Sequence, residues 1–97
     1  MNEIIEIPLE TFYEEMLKLR HEKQLDYLVN LIGMDWGDRL GVIYQLESTV
    51  TGEQAAVKTA TPDRDKPELP SVCDIWKAAN FKEREVYDFF GIRFINH

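Results

Sequence analysis

The alternation of apolar and polar positions changes period several times along the chain, and each change marks an element. Residues 2–7 alternate weakly around Ile4, Ile5 and Ile7, which predicts a short first strand broken by Pro8. Thr11 followed three residues later by Glu14 has the form of a capping box. It predicts a helix over residues 11–20 that buries Phe12, Met16 and Leu17, with Leu19 beside them. His21, Glu22 and Lys23 form a polar joint. Beyond it Leu25, Leu28, Val29 and Ile32 recur at i, i+3, i+4 and i+7, which predicts a second helix from Gln24 ended by Gly33.

At residue 40 the period falls to two. Val42, Tyr44 and Leu46 point one way and Ile43, Gln45 and Glu47 the other, so residues 40–48 read as a strand. A turn at Thr51, Gly52 and Glu53 returns the chain along residues 54–61, completing a hairpin. Residues 61–70 hold Pro62, Pro67 and Pro70 among Asp63, Arg64, Asp65, Lys66 and Glu68, the composition of a surface loop. Ser71 is placed to cap a short helical turn through Ile75 and Trp76. The last helix carries both of its ends in the sequence. Asn80 with Glu83 forms a second capping box, and Gly91 follows Phe90 where a helix needs a residue that accepts positive φ. The sum is an α+β fold: one two-layer domain, a small mainly antiparallel sheet packed against helices.

Composition narrows the function without naming it. A chain of 97 residues that is 44% hydrophobic and 30% charged supports one domain with its own core. Eleven basic side chains against 18 acidic ones leave a net charge of −7, which repels phosphate backbones and anionic lipid heads. No apolar run approaches the ~20 residues that cross a bilayer, and Glu3 and Glu6 interrupt anything resembling a leader sequence. The single cysteine, Cys73, has no internal partner, which fits a reducing cytoplasm.

The candidate chemistry is sparse. No glycine-rich phosphate loop is present, and one thiol cannot hold an iron–sulfur cluster. Cys73, beside Val72 and Ile75, reads as a small core residue, and His21 and His97 as exposed. Asp35 and Asp38 around Trp36 and Gly37 read as a turn, since a Mg²⁺ or Ca²⁺ site wants more oxygen ligands. No catalytic, cofactor-binding or metal residue is expected. What stands out is the closing helix, where Glu83, Arg84, Glu85 and Asp88 sit among aromatic residues. Glu83 and Glu85 point about 200° apart, so they are no catalytic pair. Arg84 and Asp88, at i and i+4, are open to two readings: a solvated face, or ion pairs that fix register against a partner.

Residues 83–94, Glu-Arg-Glu-Val-Tyr-Asp-Phe-Phe-Gly-Ile-Arg-Phe, resemble the signature of the 30 kDa subunit of NADH-quinone oxidoreductase, respiratory complex I. The same module occurs in related membrane-bound energy-converting hydrogenases. Upstream, Leu69-Pro70-Ser71-Val72, Ile75-Trp76 and Ala79-Asn80 also match, so the resemblance covers residues 69–96. It implies a structural subunit, not catalytic alone, on the cytoplasmic side of the membrane and peripheral to it. The subunit would dock on a 49 kDa-type, hydrogenase-large-subunit-like partner and other hydrophilic-arm subunits. Those neighbours would hold the cofactors that carry electrons from NADH to quinone, coupled to ion translocation. The resemblance favours Glu83, Arg84, Glu85, Tyr87, Asp88, Phe90, Gly91 and Phe94 as interface or structural-lock residues. An equivalent hydrogenase subunit and a free-standing interaction domain are the alternatives. Phe81 stands where many members carry Trp, and members continue past Asn96 and His97 with a Gly-His-Pro-Asp-Leu-Arg-Arg-type segment. The expectation is therefore one domain, 1–97, without that tail.

Overall fold

The computed structural model describes residues 4–96. Its main sheet has four strands, β1 (Ile4–Glu6), β2 (Tyr27–Asp35), β3 (Leu40–Glu47) and β4 (Gln54–Thr61), in the spatial order β1-β4-β3-β2. β2, β3 and β4 are antiparallel neighbours, and β1 lies parallel to β4. A separate parallel pair joins β5 (Glu68–Pro70) to β6 (Arg93–Ile95). Helices α1 (Phe12–Glu22) and α2 (Ala79–Phe90) cover one face of the sheet. The α+β, two-layer reading therefore holds. Asn2 and Glu3, placed at the start of the first strand, lie outside the described residues, as does His97.

The hairpin forms as its period dictates. Val42, Tyr44 and Leu46 of β3 and Val57 of β4 point into the core, and the Phe12 ring of α1 meets Tyr44 at 5.3 Å between centroids. Phe12 and Met16 are the buried residues of α1, while Leu17 is exposed and Leu19 only half-buried. Thr11 stands at the start of α1 after a 3-10 turn (Leu9–Thr11), but its side chain makes no capping hydrogen bond.

The second helix is not there. Residues 27–35 form β2, and Gly33 lies inside this strand rather than ending a helix. Two local features account for the mistaken period. Gln24 adopts φ +56°, turning the chain out of α1 before any new helix can begin. Then the pairing of β2 with β3 slips between Leu28 and Asn30, so Val29 is an extra residue, a β-bulge. The bulge puts Leu28 and Leu31, three apart, on the same core face, which imitates helical spacing within a strand.

The segment between the hairpin and α2 is more structured than a loop. Its last residues form β5, and Ser71 Oγ accepts the Cys73 amide at 3.1 Å in the turns that follow. Trp76 Nε1 donates to the Leu25 carbonyl at 3.0 Å and Arg20 Nη1 to that of Ile75 at 2.6 Å, fastening these turns beneath α1.

A candidate partner-docking site on the closing helix

Helix α2 begins at Ala79, one residue before the expected start, and Ala78 at its cap position has no side chain that could cap it. The Asn80–Glu83 capping box is therefore corrected. Glu83 turns inward instead. Ala79, Glu83, Val86 and Phe90 follow the i, i+4, i+7, i+11 spacing of one helical face, and that face meets the sheet. Glu83 is 1% exposed, and its carboxyl oxygens accept Ser71 Oγ at 2.7 Å and the Val72 amide at 2.9 Å. These bonds tie α2 to the chain leaving β5. The Tyr44 hydroxyl is buried without a hydrogen-bond partner, and burial, then the nearby Glu83 charge, push it well above the usual phenol range. At the other end Gly91 takes φ +75° and its amide closes the helix on the Tyr87 carbonyl, as its position predicts. Phe90 lies over β2 at Gly33, where a Cβ would stand 2.5 Å from its ring.

With its core face committed, α2 presents the rest of the expected residues outward. Glu83, Arg84, Tyr87, Asp88 and Phe94 come together with Arg93 around an open cavity of about 300 Å³. Glu85 is exposed but does not line it, and Phe90 and Gly91 serve packing and helix termination. Arg84 and Asp88 do not pair, although four residues apart. The order Arg before Asp is the weaker one for such a pair, opposing the helix dipole. Among the described residues the Arg84 guanidinium makes no ion pair, and Arg93 reaches only Glu68, at 3.7 Å across an exposed surface.

Three residues of this surface escape a reading of the sequence as a docking site. Arg93 joins the cavity because β6 turns back beside α2. Phe81 and Phe89 lie on the outer side of α2, 69% and 85% exposed. Their spacing of eight, two helical turns with Glu85 between, was a signal available in the sequence.

Asp35 and Asp38 form no ligand cluster, and no group of three or more His, Cys, Asp or Glu side chains suited to a metal occurs among the described residues. Asp35 receives Gly37 N at 2.9 Å and both guanidinium nitrogens of Arg64 at 2.8 and 3.1 Å. Cys73 is half-buried and packed against the core. No described helix is long and apolar enough to cross a membrane.

The sequence model of the respiratory-chain NADH dehydrogenase 30 kDa subunit matches residues 5–97. The chain belongs to this family. Among its relatives, the C/D subunit of the NADH-quinone oxidoreductase of Phocaeicola vulgatus is 62% identical over 98 residues, covering 100% of this chain and 19% of that protein. Subunit 5 of the Thermus thermophilus enzyme is 38% identical over 105 residues, covering 94% of this chain and 49% of its own length. The fold also matches a chain in the membrane-bound sulfane sulfur reductase, an archaeal respiratory membrane complex. The TM-score is 0.86 at 30% identity, covering 97% of this chain and 56% of that one. This 30 kDa-type chain thus spans between about a fifth and just over half the length of these relatives.

Proposed function

We propose that the chain is a non-catalytic subunit of a membrane-associated NADH-quinone oxidoreductase. It docks on the 49 kDa-type subunit through α2 and β6 and sits peripherally on the cytoplasmic side of the membrane. Electron transfer from NADH to quinone, coupled to ion translocation, runs through cofactors held by neighbouring subunits. One observation carries this reading. The inner face of α2 is locked by Glu83, while its outer surface leaves two phenylalanines and an arginine without partners among the described residues. Aromatic residues and arginine are the types that dominate interface energetics, and a large exposed phenylalanine contributes nothing to the isolated fold. The names of the C/D relatives agree, because they join a C part and a D part in one polypeptide.

Affinity capture of the tagged chain from native membranes tests the reading. Co-recovery of a 49 kDa-type subunit with iron–sulfur subunits is the expected result, and recovery of unrelated soluble proteins alone would overturn it. The likeness to a sulfane sulfur reductase chain favours a second reading, the equivalent subunit of a hydrogenase-related complex. A nickel–iron large subunit among the captured proteins would decide for it.

A further inference from the structure

We infer that the cavity between α2 and β6 is a socket for a carboxylate side chain, an Asp or Glu of the partner subunit. It would be gripped by Arg84 and Arg93 and flanked by Tyr87 and Phe94. The inference rests on the docking reading above and names the chemistry of what docks. Each guanidinium offers five N–H donors in a planar fork. Among the described residues neither makes a side-chain hydrogen bond, although both line one cavity of about 300 Å³. The acceptors already in the wall do not balance them. Glu83 receives Ser71 Oγ and the Val72 amide, which leaves Asp88 at the rim, and Asp88 does not pair with Arg84.

A cavity rich in unused fork donors and poor in free acceptors is complementary to a planar oxyanion, and bidentate arginine–carboxylate pairing is its strongest form. Tyr87 and Phe94 line the same cavity, so an entering side chain would be partly shielded from water, where such a pair strengthens. The location fits as well: the cavity shares α2 with Phe81 and Phe89, so one partner surface could cover the apolar stripe and fill the socket together.

The test uses the intact complex. Arg84→Lys places a primary amine in the socket, and carbodiimide treatment then joins it to any carboxylate in direct contact, with loss of water. The expected result, read by mass spectrometry, is a new isopeptide bond from position 84 to an Asp or Glu of another subunit. Arg93→Lys repeats the reading from β6. A bond to Asp88 or Glu83 alone, or none in a complex that still contains the chain, would overturn the socket while leaving docking intact. Absence of the unsubstituted chain from the complex would instead defeat the docking reading. A second measurement does not depend on assembly of the lysine variants. The double variant Arg84→Gln/Arg93→Gln should be retained about tenfold less by the complex, with its melting temperature unchanged. Retention equal to that of the unsubstituted chain would overturn the inference.

Discussion

At the scale of single residues, the weight falls on side chains that close a junction and on glycines that let one form. Glu83 holds two donors of the segment entering the turns after β5, so Glu83→Ala leaves the Ser71 hydroxyl and the Val72 amide buried and unpaired. The expected loss is about 3 kcal/mol of folding stability. Glu83→Gln, which retains one acceptor oxygen, should cost less, and urea unfolding of the two variants gives the comparison. Gly91 sits at φ +75°, where a β-branched side chain is strained, so Gly91→Val should lower stability by about 2 kcal/mol. An unchanged thermal midpoint would contradict that role. Gly33 is required for another reason, since the Phe90 ring occupies the space a Cβ would take. Its meaning was invisible in the sequence, where it looked like the end of a helix.

At the scale of elements, the bulge in β2 makes the most direct prediction. Every pair from Asn30↔Gln45 onward keeps its face because Val29 is looped out of the ladder. Deleting Val29 therefore leaves the core pairs in place, and a cooperative thermal transition should survive. Deleting Leu31 shifts the following strand by one residue and turns its core positions outward, which should abolish that transition. Circular dichroism melts of the two deletions separate the outcomes. The end of the same strand carries a pH-dependent contact. Hydrogen bonding by Arg64, then by the Gly37 amide, holds Asp35 at about 2, below its ordinary 3.8. A carboxyl depressed by folding stabilises the fold above 3.8, and that contribution is lost as pH falls through about 2. Arg64→Ala should bring the Asp35 titration back toward the ordinary carboxylate range, as followed by NMR of its side-chain carboxyl carbon.

At the scale of the whole molecule, the helices cover one face of the sheet and α2 keeps an apolar outer stripe. Phe89→Ser removes exposed surface that packs only on its neighbour Phe90, with ring centroids 5.5 Å apart. It should alter the stability of the isolated chain by about 0.5 kcal/mol or less and reduce its retention in the complex. Melting temperature measured beside membrane capture distinguishes the two effects. By itself the sequence determined whatever depends on near neighbours. The hairpin of β3 and β4 follows from period two, the body of α2 from its amphipathic spacing, the stop at Gly91 from backbone freedom, and family membership from residues 83–94 in register. The rest depended on contacts between residues far apart in the chain. β2 became a strand because β3 offered it a ladder and a bulge rescued its register, a gain that outweighs a local pattern reading equally well as helix. Glu83 became a buried clasp rather than a cap because tertiary packing chose which face of α2 met the sheet. Arg93 came beside Arg84 only when β6 folded back along β5, so the charges that make the socket converge through the fold and not through their spacing in sequence.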